Sequence, residues 1–321
     1  MALRRTALLA LPALLLPKGA LWAAPKTGKT LRVGYLSPGS SDLRLLKPEL
    51  AKLGYVEGKN VVYEARTGPA EEADRLAQEL VATRSDVIVG VINNYVRALQ
   101  SATRNIPIVM MWVADPVRGG LVKSLARPGG NITGAITLQE LTWSKLAEIA
   151  RNFVPAAPAI GFLASPLANP LHDIVASLVR DAVGSWGGNV VVHKARDQAD
   201  LGAVFAAAAR SGIRVMLVAP GPPFINYRRE MSLAGRKHGV GWAGTQARYA
   251  QDGALFGYGM DTASHYRDVA AFVDRIVNGA DPATLPVEQP TLFEFAINAR
   301  VAKELGLAIP SALRISADIV Q

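Results

Sequence analysis

The sequence predicts an α/β fold built from two doubly wound, parallel-sheet lobes that are joined by a hinge. Three observations lead to this prediction. After residue 30, β-rich apolar runs alternate with amphipathic helical segments, the connections between them are short, and the alternation restarts after Gly134. Half of the 321 residues are hydrophobic and 19% are charged, so the chain is long and apolar enough to build two cores.

The first lobe is predicted mainly from residues 31–136. Its strand candidates span 31–36, 61–65, 86–91 and 106–113, and its helix candidates span 43–53, 71–83 and 96–103. The run 86–91 is apolar at nearly every position, which is typical of a strand buried on both faces of a parallel sheet.

The segment from Asp115 to Gly134 follows the fourth strand and predicts a further helix. Asp115 suits the N-cap position and Pro116 suits the first helical turn. Apolar residues then recur at helical spacing, which predicts a helix over 116–125 before the next strand starts at Ile132. Ligands of open α/β sheets bind at the carboxyl ends of strands, so Asp115 is a candidate ligand contact.

The second lobe repeats the alternation. Its strand candidates span 159–163, 189–193, 215–218, 239–243 and 255–258, and its helix candidates span 141–153, 171–186, 201–211 and 224–238. A long helix over 263–278 follows. Strands end in glycine-rich surroundings at 134–137 and 258–261, so the chain is predicted to cross between lobes there. We assign 31–136 plus about 262–284 to the first lobe, and 137–261 plus about 285–321 to the second.

The N-terminus has the pattern of a secretory signal peptide. Arg4 and Arg5 precede an apolar stretch of about eleven residues that is too short to span a bilayer, and small residues follow it. We expect residues 1–24 to be cleaved on export, by the general or the twin-arginine route; the alternative is an uncleaved apolar terminus. The chain has no cysteine, so we expect neither disulfides nor a lipid anchor.

The charge pattern argues against a nucleic-acid partner. The formal net charge is +9, and removal of Arg4, Arg5 and Lys18 leaves about +6. The remaining basic residues are scattered and interleaved with acids, whereas phosphate tracking requires a clustered stripe.

Motifs for enzymatic chemistry are missing from the sequence. It contains no phosphate-binding loop, dinucleotide fingerprint, nucleophile elbow or metal-binding histidine pair. Ser165 follows a strand but has no obvious base nearby. Four isolated histidines are expected to be solvated or to lie at helix ends: His172, His193, His238 and His265. We therefore predict no catalytic residue, no metal and no cofactor.

Polar side chains follow the predicted strands instead, and they outline a candidate ligand-binding site. Its members are Ser37, Asn93, Asn94, Asp115, Thr137, Asn169, Thr245 and Asp261. Each alone is also explained as a cap, but together they suit a small zwitterion. Hydroxyls and N–H groups would hold its carboxylate, and Asp115 or Asp261 its ammonium. Four aromatic residues could line the site or pack in the core: Tyr35, Tyr95, Trp112 and Tyr258.

Several segments together resemble one known family. They are Leu53-Gly54-Tyr55-Val56-Glu57-Gly58-Lys59-Asn60-Val61, the stretches 106–109, 115–134, 258–261 and 285–291, and the segment 298–310 with Ala302-Lys303-Glu304-Leu305-Gly306-Leu307. Their order resembles that of ABC transporter substrate-binding proteins, the family that includes tryptophan-binding lipoproteins with a type I periplasmic-binding fold. The resemblance covers nearly everything after residue 30.

The resemblance implies a monomeric periplasmic receptor without enzymatic activity. Such a receptor captures a small-molecule solute between two lobes and delivers it to an ABC permease in the inner membrane. The solute expected here is amino-acid-like, either zwitterionic or anionic. Two alternatives remain open: a ligand-sensing module for a signalling partner, and an exported α/β hydrolase.

Overall fold

The computed structural model describes residues 30–157, 159–166, 171–221 and 223–321. Within these residues the chain forms two α/β lobes, each with its own sheet between layers of helices. The predicted fold class is confirmed. The expected signal peptide lies outside the described residues.

The first lobe is a five-stranded parallel sheet in the order β2-β1-β3-β4-β5. The strands are β1 (Leu31–Ser37), β2 (Val61–Thr67), β3 (Val87–Val91), β4 (Ile108–Ala114) and β5 (Ile132–Thr137). Its helices are α1 (Ser41–Lys52), α2 (Ala73–Ala82), α3 (Ile92–Ala102) and, from much later in the chain, α8 (Thr262–Val277). Helices α1 and α8 cover one face of the sheet, and α2 and α3 cover the other.

The second lobe is a seven-stranded sheet in the order β12-β11-β10-β9-β8-β6-β7. Its strands are β6 (Ala159–Ala164), β7 (Asn189–Lys194), β8 (Val215–Val218), β9 (Gly241–Gly244), β10 (Phe256–Met260), β11 (Phe293–Asn298) and β12 (Asp318–Val320). The helices are α4 (Gln139–Phe153), α5 (Leu171–Gly184), α6 (Leu201–Arg210), α7 (Arg228–His238), α9 (Ala299–Glu304) and α10 (Ser311–Ser316). Short 3₁₀ turns lie at Ala70–Glu72, Gln198–Asp200, Phe224–Asn226 and Ala247–Ala250.

Strands β11 and β12 are exceptions to the predicted parallel order, because β11 pairs antiparallel with β10 and β12 runs parallel to β11. The chain leaves β10 at its carboxyl end, forms α8 in the first lobe and returns to the same end of the second sheet. Met260 pairs with Phe293, and the N–H of Asp261 donates to the carbonyl of Leu292 across 2.9 Å. A strand that enters where its neighbour leaves must run in the opposite direction.

The helix predicted over 116–125 is wrong, because the structure has a series of turns there. The Asp115 carboxylate accepts a hydrogen bond from the N–H of Arg118, as a cap would, but the segment then meets two glycines. Gly120 has a φ of +68°, and a glycine costs a helix about 1 kcal/mol relative to alanine. Side chains of α3 donate hydrogen bonds to the carbonyl groups of this segment instead: Arg97 to that of Gly119 and Gln100 to that of Gly120.

Residues 285–288 remain attached to the first lobe. The Thr133 hydroxyl donates to the carbonyl of Leu285, and Ile136 and Gly134 exchange backbone hydrogen bonds with Glu288. This segment is predicted to belong to the second lobe, whereas its contacts are with β5. The chain then passes to the second lobe through residues 289–292, before β11 begins.

Candidate functional site

The chain passes between the lobes at the carboxyl edges of the two sheets. Strand β5 ends at Thr137 and α4 of the second lobe starts at Gln139. Strand β10 ends at Met260 and α8 of the first lobe starts at Thr262. Because both passages begin at the carboxyl end of a strand, both carboxyl edges face the junction. In open α/β sheets this edge is where ligands bind.

Ser37 ends β1 at this edge, but its hydroxyl is engaged within its own turn. The side chain is fully buried. The hydroxyl donates to the carbonyl of Gly39, and the Gly39 N–H approaches the same oxygen at 3.3 Å. The residue therefore shapes the turn that leads into α1.

Asn93 and Asn94 lie in the first turn of α3, which begins at Ile92 rather than at the predicted residue 96. The amide of Asn93 bonds to both backbone groups of Ala114: its Nδ2 donates to the carbonyl at 2.7 Å, and its Oδ1 accepts from the N–H at 3.1 Å. Asn94 is exposed. Asn93 thus holds the end of β4, while Asn94 faces solvent.

Asp115 directly follows Ala114, the last residue of β4, and is exposed. Its backbone has a φ of +38°, and one carboxylate oxygen accepts from the N–H of Arg118 at 3.0 Å. The residue therefore caps a turn and also presents a carboxylate at the sheet edge.

Trp112 has the most unusual backbone of β4. It lies in a bulge where Met111 and Trp112 together oppose Ala135, since Met110 pairs with Gly134 and Val113 with Ile136. Its φ of +59° places it in the left-handed region, which costs a residue with a side chain of order 1–3 kcal/mol. The indole is partly exposed, although Met111 and Val113 on either side are buried.

His265 on α8 provides the partner for this bulge. The N–H of Trp112 donates to Nε2 of His265 at 3.2 Å, and the two rings lie 4.2 Å apart with a tilt of 38°. His265 is only 1% exposed, and burial lowers its pKa to about 4. A neutral imidazole has one acceptor nitrogen, so the proton lies on Nδ1.

Positive φ angles concentrate at this edge. Among the described residues, four non-glycine residues have them, and three follow one another along the edge: Ile92, Trp112 and Asp115. A β-branched residue such as Ile92, at φ +56°, adopts this conformation only when the surrounding structure imposes it. Strain of this kind gathers at binding sites.

A second aromatic group lies beside the indole. Tyr266 meets Trp112 edge-on, with ring centroids 5.9 Å apart, and its hydroxyl donates to the carboxylate of Asp42. Tyr35 packs in the same core, and burial raises the pKa of both tyrosines, so both hydroxyls stay protonated. Asp42 therefore adds a carboxylate at the start of α1.

Thr137 and Asp261 lie at the passages between lobes. The Thr137 hydroxyl points back to the carbonyl of Val113 at 3.4 Å. Asp261 is the N-cap of α8: its Oδ1 accepts from Ala263 at 2.8 Å, and its Oδ2 is 3.3 Å from Arg267. The carboxylate of Asp261 is thus already paired with a cation.

The second lobe contributes Thr245, which lies just past β9. It lines a small surface pocket together with Phe224, Trp242, Tyr249 and Arg228. Gly259 packs against the Thr245 backbone so closely that a Cβ there would lie 1.9 Å from the carbonyl oxygen. Asn169 lies outside the described residues.

His172 holds the neighbouring strand ends together. Its Nδ1 accepts from the N–H of Ser165 at 3.0 Å, so its Nε2 donates to the carbonyl of Pro220, also at 3.0 Å. Burial lowers its pKa. His172 and His265 lie in the first turns of α5 and α8, as the helix-end expectation has it, but neither is solvated, because both are buried hydrogen-bonding groups.

Two of the four predicted aromatic candidates pack elsewhere. Tyr95 is buried among α2 and α3 and donates to the carbonyl of Gly68 at 2.5 Å. Tyr258 stacks on Phe293 of β11, with centroids 5.7 Å apart. The residues that sequence reasoning missed are His265, Tyr266 and Asp42. The pairing of a histidine with an aromatic residue 153 positions earlier carries no local sequence signal.

The described part of the chain has neither a metal-binding cluster nor a membrane-spanning helix. There, no group of three or more His, Cys, Asp or Glu side chains is arranged to hold a metal ion. None of the helices in that part is both long enough and apolar enough to cross a bilayer.

Comparisons with known proteins agree with this architecture. A family model described as "ABC transporter substrate binding protein" matches residues 45–321. A tyrosine-binding protein of Clostridioides difficile (strain R20291) is 34% identical over 112 residues, which is 34% of this chain and 32% of that protein. The match thus spans about a third of that relative's length.

Solved structures show the same fold. A conserved domain protein from Vibrio cholerae is 27% identical, with a TM-score of 0.75, over 91% of this chain and 100% of that one. A domain from Streptococcus pneumoniae in complex with L-Trp is 22% identical, with a TM-score of 0.72 and the same coverage of both chains.

The family that the sequence segments resemble is confirmed by these comparisons. The matched region includes most of the first lobe and all of the second, with every described site residue except Tyr35, Ser37 and Asp42, which precede it. This protein belongs to the family of ABC transporter substrate-binding proteins, which are solute-binding proteins and not enzymes.

Proposed function

We propose that this protein captures a small amino-acid-like zwitterion between its two lobes and delivers it to an ABC permease in the inner membrane. The observation that carries the proposal is the carboxyl edge of the first lobe. There a strained, partly exposed Trp112 lies three residues from the exposed carboxylate of Asp115. An apolar face beside an anion suits a solute that has both an apolar part and an ammonium group.

Asp115 is the better of the two predicted ammonium partners. The carboxylate of Asp261 already accepts from the N–H of Ala263 at the start of α8 and pairs with Arg267. Asp115 has one backbone partner from Arg118 and is exposed. An exposed carboxylate can exchange water for an ammonium when the lobes close, and the charge-assisted hydrogen bond offsets the lost hydration.

The carboxylate of the solute has donors available at the same edge. Helices α1 and α3 both start at the carboxyl edge of the first sheet without a side-chain cap, and the free N–H groups of a helix start attract anions. Thr137 and Thr245 remain predicted contacts from the two lobes. The tyrosine-binding relative and the L-Trp-bound neighbour support testing aromatic amino acids first.

A thermal-shift screen tests the solute class. The purified protein is heated with each of the twenty L-amino acids and with small mono- and dicarboxylates. At a hundredfold excess over Kd, a bound solute stabilises the folded state by about 2.7 kcal/mol, which raises Tm by roughly 5–10 °C. If no amino acid shifts Tm while the protein shows a cooperative transition, the proposed solute class is wrong.

Delivery is tested separately in cells. A strain that lacks this protein should lose high-affinity uptake of the solute found in the screen, and the D115N variant should restore it poorly. Unchanged uptake, together with a lost transcriptional response to the solute, would assign the protein to sensing rather than to transport.

We also propose that the protein acts in the periplasm without a lipid anchor. The signal-peptide pattern in residues 1–24 and the lack of cysteine in the sequence support this location. N-terminal sequencing of the protein from the periplasmic fraction should begin shortly after residue 20. A start at Met1 would contradict cleavage.

A further inference from the structure

The backbone of Trp112 departs from regular β structure at the bulge of β4. The bulge gives this strand one more residue than β5, and β3 ends its pairing with β4 at Met111. The Trp112 N–H therefore lies beyond the ladder on both sides. A buried N–H without a partner is destabilising, so some other acceptor must replace the strand.

His265 is that acceptor, and the rest of the protein keeps it in place. It lies on α8, whose next residues Tyr266 and Val269 pack in the core beneath the sheet. Its Nε2 lies 3.2 Å from the Trp112 nitrogen, and its ring lies against the indole. One side chain thus bonds to the backbone and also contacts the ring of the same residue.

The indole is held on a second side as well. Tyr266 contacts it edge-on, and the Tyr266 hydroxyl is tied to Asp42 at the start of α1. Consecutive residues of α8 therefore orient Trp112 from two directions, while part of the indole stays exposed at the carboxyl edge. Core packing alone would have buried this large side chain.

We infer that His265 is a positioning residue for solute binding: by accepting the Trp112 N–H it holds the indole at the carboxyl edge as part of the binding surface. The part of this inference that concerns affinity rests on the proposed function. The part that concerns the conformation of Trp112 does not. Without the acceptor, no hydrogen bond offsets the strain of the left-handed backbone at Trp112. The backbone then relaxes, and the indole turns away from the edge.

The test compares three substitutions in the full chain. His265→Leu keeps the approximate volume and removes the acceptor, whereas His265→Gln places an amide oxygen near the position of Nε2. Val269→Ala, one turn further along α8 in the same core, is the matched control for general loss of packing.

Selective ¹⁵N-tryptophan labelling gives at most five backbone amide peaks, and the Trp112 peak is the one that Trp112→Phe removes.

The first readout is hydrogen exchange of the Trp112 amide. We expect about tenfold faster exchange in His265→Leu, and exchange near that of the unmodified protein in His265→Gln and Val269→Ala. Unchanged exchange in His265→Leu would overturn the inference. So would equally fast exchange in Val269→Ala, because the effect would then come from packing.

The second readout is affinity for L-tyrosine, measured by calorimetry. His265→Leu should weaken binding about tenfold and His265→Gln by less than about threefold. In a Trp112→Ala background, His265→Leu should have no further effect, because the histidine acts through the indole. A further loss there would overturn the positioning role. If the unmodified protein binds no amino acid, the proposed solute class fails, and the exchange readout still decides the role of His265.

Discussion

Asn93 holds Ala114 by both of its backbone groups, donating to the carbonyl at 2.7 Å and accepting from the N–H at 3.1 Å. One amide side chain thereby replaces β3, whose pairing with β4 ends at Met111, while Ala114 stays paired with β5 on the other side. The contact joins the start of α3 to the end of β4, directly before Asp115. Asn93 is a predicted ligand contact, but its amide is already bonded to the backbone of Ala114.

Replacement of Asn93 by alanine should therefore lower stability. Two backbone groups of Ala114 lose their partners, and we expect the free energy of unfolding to fall by about 2 kcal/mol. Asn94→Ala is the matched control, because Asn94 is exposed in the same helical turn, and it should change stability by about 0.5 kcal/mol or less. Urea titrations monitored by circular dichroism compare the two. Equal stabilities would show that water replaces the Asn93 amide at no cost.

Charge removal at Asp115 and at Asp261 should separate the two predicted ammonium partners. Asp115→Asn keeps an acceptor for the Arg118 N–H and removes the charge, so we expect affinity for an amino acid to fall at least about tenfold. Asp261→Asn keeps the cap of α8, because asparagine caps as well as aspartate, and should leave affinity nearly unchanged. Calorimetric titration of both variants measures this; the reverse pattern would assign the ammonium to Asp261.

Stability should fall in mild acid because of His265. Burial lowers the pKa of this histidine from 6.5 to about 4, so between these values the unfolded chain binds a proton that the folded protein does not. The stability that His265 contributes is complete above about pH 6.5 and is lost as the pH falls toward 4. The shift corresponds to about 3 kcal/mol.

The His265→Gln variant is the control for this pH dependence, because glutamine does not titrate. Unfolding free energies measured at several pH values between 4 and 7 should fall less steeply in the variant. His172 has its pKa lowered by burial in the same direction, so both proteins keep part of the slope. Parallel curves for the two proteins would contradict a neutral, buried His265.

Gly259 should not tolerate a side chain. A Cβ there would lie 1.9 Å from the carbonyl oxygen of Thr245, so Gly259→Ala must displace β10 or the turn after β9. We expect a loss of about 3 kcal/mol or more. Gly202→Ala on α6 is the control, because no atom lies within 4 Å of its added Cβ, and it should be neutral or slightly stabilising. Thermal unfolding of both variants checks the difference.

The fold was largely predictable because burial and period are local properties of the chain. The apolar runs that predict strands in both lobes all form strands, since a segment such as 87–91 can be buried only in the middle of a sheet. The helix at 116–125 was predicted wrongly because its apolar spacing is helical, whereas Gly119, Gly120 and the side chains of α3 stop the helix. Strands β11 and β12 lacked a clear alternation and were not predicted.

The candidate site was predictable in position but not in detail. Strand ends can be read from the sequence, and Asp115, Thr137, Thr245 and Asp261 all lie at such ends or passages. Whether a polar side chain there is free depends on which group lies opposite it. Asn93 is engaged by Ala114 and Asp261 by Arg267, and neither partner could be recognised from the sequence alone.

The amino-acid sequence by itself determined the two-lobed α/β architecture and the solute-binding family, because the hydrophobic period and the short motifs can be read without knowing which residues are in contact. Only the tertiary structure decided which residues of the carboxyl edge are strained, paired or exposed. The contact between Trp112 and His265 joins positions 153 residues apart. Such a pair forms because two separate chain segments pack on the same sheet. Packing in the folded core stabilises the contact, and neither segment could form it alone.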